Sequence, residues 1–164
     1  MSVAQRAATL ACALLAGLPA QACELVLNEH RSGLELRRLP LDPAAPQVQI
    51  AFEHSVLGTT VIDRYAFDPQ ARLVEERFDG QGYGLPHAAG PGEQLQRDGP
   101  GWRLTLNRSV QPLVVRPLPA QHMRLLLPGS EPLPLSALSA HAVQLVAQGC
   151  GAAQALAVPA RPAP

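Results

Sequence analysis

The sequence predicts an all-β fold, an antiparallel sandwich or partly open barrel of about nine short strands, and three observations carry that prediction. Apolar and polar residues alternate with period two in short runs, no long stretch keeps a helical period, and Pro, Gly and Asp punctuate the runs at close intervals. The 164 residues are 47% hydrophobic, enough for one packed core and too apolar for a disordered chain, while 17 Pro and 13 Gly favour many turns. The 13 basic residues, all arginine, balance 13 acidic ones, so no basic surplus draws the chain to nucleic acid.

Residues 1–22 read differently from the rest. Arg6 precedes an apolar run from Ala7 to Leu18 and then Pro19-Ala20-Gln21-Ala22, with Ala20 and Ala22 as the small residues of a cleavage site. This is a secretory signal peptide cut near Ala22, which makes the protein periplasmic or secreted. The run is short for a membrane span, and nothing later reaches 18 consecutive apolar residues, so no membrane span is expected. A lipid anchor at Cys23 ranks second, because Ala20-Gln21-Ala22 lacks the Leu and the small middle residue of a lipidation site. Cleavage also removes Cys12 and leaves Cys23 and Cys150, the arithmetic of one disulfide in an oxidising compartment.

Within the single β domain expected over 23–150, the candidate strands are 23–29, 33–38, 46–57, 60–67, 71–79, 101–107, 111–117, 122–127 and 141–148. Arg31-Ser32-Gly33, Asp42-Pro43, Asp68-Pro69-Gln70 and Pro128-Gly129-Ser130 supply turns between them. Gly80 to Gly101, with seven Gly and three Pro, reads as a long irregular loop of the kind that is often functional. One helical turn is possible from Ser136 to His141, and 151–164 reads as an unpacked Ala/Pro-rich tail.

The most informative stretch runs from Gln47 to Phe78. A two-residue loop at Gly58-Thr59 would pair Val56 with Val61, His54 with Asp63, Phe52 with Tyr65 and Ile50 with Phe67 on one face. Ser55 with Ile62, Glu53 with Arg64 and Ala51 with Ala66 would occupy the other. His54 and Asp63 would then meet on an apolar face, where a carboxylate needs a partner. The pair reads as a structural lock, a site for a small polar ligand or metal, or acid/base machinery. The Asp68-Pro69-Gln70 turn would add Glu76 beside Asp63, or Glu75 after a one-residue bulge. Ser55 points away from His54 on a regular strand, which disfavours a Ser-His-Asp triad.

Weaker signals add little. No helix pattern or Lys-Ser/Thr follows Gly80-Gln81-Gly82-Tyr83-Gly84, so a phosphate loop is not supported. His30, His87, His122 and His141 have no metal-ligand spacing. Trp102 begins an alternating run and suits the core or its rim, and Arg37-Arg38, next to Leu-Pro, reads as a solvated pair.

The order Phe52-x-His54-Ser55-Val56, Val61-x-Asp63-x-Tyr65, Glu75-x-x-Phe78 and Gly82-Tyr83-Gly84-Leu85-Pro86 resembles the bacterial domain of unknown function 1850 family, with His122-x-x-Leu125 and Leu133-x-Leu135 extending the likeness over about residues 46 to 148. Gln81 stands where that family usually has an aromatic, Tyr83 where it has a small residue, and Glu75 aligns with its acidic position. The resemblance implies a small exported protein of the kind commonly encoded beside tripartite ATP-independent periplasmic (TRAP) transporters of the TAXI type. It implies an envelope accessory role rather than an established reaction. The expected function is a noncatalytic binding or accessory module whose site residues are His54, Ser55, Asp63, Glu75, Gly82, Gly84 and Pro86. Its expected partner is a TRAP transporter subunit or a small organic-acid ligand. The alternative is a small periplasmic hydrolase or metal-dependent enzyme using His54, Asp63 and Glu75. No cofactor, catalytic residue or metal ligand is assigned.

Overall fold

A computed structural model describes residues 22–80, 82 and 84–150. The expected tail at 151–164, all but the last residue of the expected signal segment at 1–22, and Gln81 and Tyr83 of the glycine loop lie outside the described residues. Eleven strands follow in order: β1 (Glu24–Glu29), β2 (Glu35–Pro40), β3 (Gln47–Glu53), β4 (Thr60–Phe67), β5 (Ala71–Phe78), β6 (Gln94–Asp98), β7 (Gly101–Ser109), β8 (Val114–Val115), β9 (Arg124–Leu126), β10 (Leu133–Pro134) and β11 (Val143–Gln148). They form two antiparallel sheets, ordered β2-β1-β11-β8 and β10-β9-β3-β4-β5-β7-β6. Both sheets end in free edge strands, so the architecture is two layers and not a closed barrel.

Period-two patterning explains the layers. Leu25 and Leu27 of β1 and Val143 and Leu145 of β11 are buried, and they meet Val48, Ile50, Tyr65, Phe67 and Leu125 of the larger sheet in the main core. Cys23 and Cys150 are disulfide-bonded beyond the Glu24↔Gln148 end of the β1–β11 ladder, with their Cα atoms 4.4 Å apart. The bridge therefore closes a loop of nearly the whole domain.

A second cluster, Val61, Phe78, Leu85, Leu104 and Leu106, occupies the far half of the larger sheet. Leu85 reaches it from the connection between β5 and β6 and covers that half in place of a strand. The Gly80 to Gly101 stretch is thus less irregular than its composition implies. Its last part is β6, paired with β7 through the tight Gly99-Pro100 turn, and Arg97 lies 4.6 Å over the Trp102 ring. The β6 strand, like the two-residue β10, carries too few alternating positions to stand out in the sequence. The helical turn expected from Ser136 is a 3₁₀ turn at Leu135–Ala137, and a second 3₁₀ turn spans Pro119–Gln121.

The β3–β4 hairpin corrects the predicted register. Ile50 faces Asp63, Phe52 faces Val61 and Val48 faces Tyr65, four residues away from the pairing that a two-residue loop would impose. Strand pairing stops at Glu53, and His54–Thr59 forms the connection. The His54 N–H donates to the Thr59 carbonyl and the Gly58 N–H to the His54 carbonyl, each at 2.8 Å, with Gly58 at φ +64°. A slip by an even number keeps every side chain on its predicted face while changing every partner, so alternation alone could not detect it.

The β4–β5 hairpin does contain the bulge, with a consequence opposite to the expected one. Phe67↔Ala71 and Tyr65↔Leu73 follow the Asp68-Pro69-Gln70 turn, and Val74 is then skipped, so that Arg64 faces Glu75 and Asp63 faces Glu76. Glu76, not Glu75, is the carboxylate beside Asp63.

Candidate functional site

His54 leaves the strand at the point where its side chain can serve the turn that follows. Its Nδ1 accepts hydrogen bonds from the backbone amides of Val56 and Leu57, each at 3.3 Å. Two donors directed at one ring nitrogen require the neutral tautomer with its proton on Nε2. That Nε2 lies against Gly84: a Cβ built there would stand 3.2 Å from it, and Gly84 has φ +82°. Gly82 packs beside Leu57 in the same way, at 3.8 Å from a built Cβ to Leu57 Cδ2. Leu85 is buried beneath, and Pro86 is half-buried beyond it. The histidine turn and the glycine loop, separated by some thirty residues of chain, therefore build one surface at the end of the larger sheet.

Ser55 is exposed at the tip of that surface, and Val56 beside it is 64% exposed, among the most exposed large apolar side chains described. Four of the predicted site residues, His54, Ser55, Gly82 and Gly84, thus come together with Pro86 following them. Asp63 and Glu75 do not join them.

Asp63 sits on the inner face, with Val61 of the second cluster on one side and Tyr65 of the main core on the other. The Tyr65 hydroxyl donates to Asp63 Oδ2 at 3.0 Å, while Asp63 Oδ1 is buried with no partner among the described residues. Burial, with Glu76 opposite as the second cause, pushes the Asp63 carboxyl up to about 7 against the opposing pull of the Tyr65 hydrogen bond. Burial raises Tyr65 and Glu76 as well. Across β5, Arg108 grips Glu93 with two nitrogens at 2.7 and 2.8 Å, and the Gly90 amide donates to the same carboxylate at 3.0 Å. This clip ties the glycine-rich connection to β7 beside Glu76.

Glu75 lies on the outer face of the same sheet. It is buried beneath arginines, with Arg64 Nη2 and Arg77 Nε at 2.9 Å and Arg103 Nε at 3.9 Å. The predicted pairing of Glu53 with Arg64 is replaced by this arrangement, and Glu53 instead meets His122 Nδ1 at 3.0 Å. His54, Asp63 and Glu75 accordingly occupy a turn, an inner face and an outer face, and no cluster of three forms from them. Among the described residues no group of three or more His, Cys, Asp or Glu is placed to hold a metal ion, and no helix is long and apolar enough to cross a membrane.

Sequence reasoning missed the Asp63–Tyr65 bond, the Glu93–Arg108 clip and the arginine cover on Glu75. Only the i, i+2 spacing of Asp63 and Tyr65 was available beforehand, since the other contacts depend on the bulge and on β6.

The family model described as "Domain of unknown function (DUF1850)" matches residues 48–133. The matched segment runs from β3 to the start of β10 and includes both the histidine turn and the glycine loop. No curated protein and no solved structure matches the chain. With more than half its length covered by that model, the chain belongs to the DUF1850 family of domains of unknown function.

Proposed function

We propose that this protein is an exported, noncatalytic contact module, an accessory of a TAXI-type TRAP uptake system, whose docking surface is the joined histidine turn and glycine loop. One observation carries the reading: the imidazole of His54 spends Nδ1 on two backbone amides and lays Nε2 against Gly84, so it holds a surface in shape and presents Val56 and Ser55. An exposed apolar side chain on a rigid turn suits a protein contact. Export is supported by the signal-like segment and by the disulfide. The transporter link is supported by what the family resemblance implies. The hydrolase reading has less support, because its three groups are dispersed over a turn and two opposite faces.

Biolayer interferometry tests the proposal with mature protein against each purified subunit of the TAXI-type transporter from the same organism. Saturable binding to one subunit is expected, weakened at least about tenfold by Val56→Asp, which places a charge at the centre of the contact. Calorimetry with the transporter's organic-acid substrate separates ligand binding from subunit docking. No binding to any subunit, or equal binding by Val56→Asp, overturns the proposal.

A further inference from the structure

On the outer face of the larger sheet, β3, β4 and the end of β9 enclose a groove of about 280 Å³ lined by Gln47, Gln49, Arg64, Leu126, Leu127 and Pro128. Alternation places these residues there: Val48, Ile50 and Leu125 fill the core, so their neighbours Gln47, Gln49 and Leu126 face outward. Arg64 stands directly opposite Gln49. Because β9 pairs with β3 only from Gln49 to Ala51, the chain turns away at Leu127-Pro128 and the groove opens.

The charge cluster that Arg64 joins on this outer face is incompletely matched. Arg64, Arg77 and Arg103 share two carboxylates, Glu75 and Asp98, which leaves one positive charge over. Arg64 gives Nη2 to Glu75 at 2.9 Å and seals its Nε in the sheet, while about a third of its side chain stays exposed where it lines the groove, so the rim of the guanidinium is the part a ligand meets. The other polar groups of the groove, the amides of Gln47 and Gln49, can donate too, while Leu126, Leu127 and Pro128 form an apolar wall.

We propose that this groove binds a small carboxylate with a short apolar chain, its head group on the Arg64 guanidinium beside the Gln49 amide and its chain against Leu126, Leu127 and Pro128. A planar guanidinium matches a carboxylate in geometry as well as charge. The apolar wall favours such a molecule over inorganic phosphate. The site is independent of the contact surface proposed above, since it lies on the sheet face and not at the turn.

Titration of the full mature protein with butyrate, inorganic phosphate or chloride, followed through the arginine Nε–H resonances, tests the assignment. Butyrate should shift the Arg64 resonance saturably, with a dissociation constant on the order of millimolar, and Arg64→Gln or Gln49→Leu should weaken binding about tenfold. Arg97→Gln, on the Trp102 ring, should bind as the unaltered protein does. Gln49→Leu leaves the Arg64–Glu75 pair in place and carries the test should Arg64→Gln fail to fold. An unmoved Arg64 resonance, undiminished binding in Gln49→Leu, or phosphate binding as tightly as butyrate would overturn the proposal.

Discussion

Asp63→Asn should make this protein more stable at neutral pH, even though it alters a polar group tied to Tyr65. The aspartate carboxyl ionises near 3.8 in the unfolded chain and at about 7 in the fold, with burial the main cause and Glu76 the next. Below the unfolded value both states hold the proton and Asp63 imposes no penalty. As pH rises from there to the folded value, the unfolded chain releases its proton first, so stability falls; above it the loss levels off. The gap between the folded and unfolded values sets a ceiling of about 4 kcal/mol, cut to about 2 by the part of the side chain that water still reaches. The Asn side chain keeps an acceptor for the Tyr65 hydroxyl and carries no charge to bury. Urea unfolding of both proteins at about pH 5 and about pH 8 reads the effect, with unchanged m-values confirming the same transition. Comparing the two proteins cancels contributions of opposite sign, such as that of Glu93, which the Gly90 amide and Arg108 hold below the ordinary carboxylate range. The same pH slope in both proteins, or a less stable variant at the higher pH, would refute the argument.

Three further outcomes follow from the same geometry. Cys150→Ala removes a cross-link that closes nearly the whole domain and should lower stability by roughly 4 kcal/mol, read by thermal unfolding against the reduced unaltered protein, which should behave alike. Gly84→Ala places a Cβ 3.2 Å from His54 Nε2 at a φ of +82° and should cost about 1–2 kcal/mol in a denaturant midpoint; a neutral result would mean that the turn and loop do not pack as described. Glu75→Gln leaves Arg64, Arg77 and Arg103 without their shared carboxylate and should destabilise by about 2–3 kcal/mol in urea unfolding, whereas Glu35→Gln, at an exposed arginine pair, should leave the urea midpoint unmoved.

How far the sequence carried this picture differs between fold and site. Strands β1, β4, β5, β7 and β11 are legible because each runs six or more residues against a buried layer. The β6 and β10 strands are short edge elements whose alternation is lost among turn residues. At the site, the sequence separates the histidine segment from the glycine loop, and only the resemblance placed them in one motif. Their physical connection is a packing fact: His54 Nε2 against Gly84 and Leu57 against Gly82. The expected His54–Asp63 pair failed for a reason internal to strand pairing. Both registers satisfy the same inward and outward pattern, and the hydrogen bonds of a six-residue connection select between them.

By itself the sequence determined the all-β class, the face on which each strand residue of the β3–β4 hairpin lies, and the pairing expected of Cys23 and Cys150. Each of these follows from local chemistry: side-chain alternation along a strand, and the count of two cysteines within the domain expected over 23–150. The tertiary structure decided which residues meet. It paired Asp63 with Tyr65 and Glu76, sent Glu75 to the opposite face beneath three arginines, and joined the histidine turn to the glycine loop. Those outcomes hang on a four-residue slip and a single skipped residue, Val74, because partners across a sheet depend on register while faces depend only on parity.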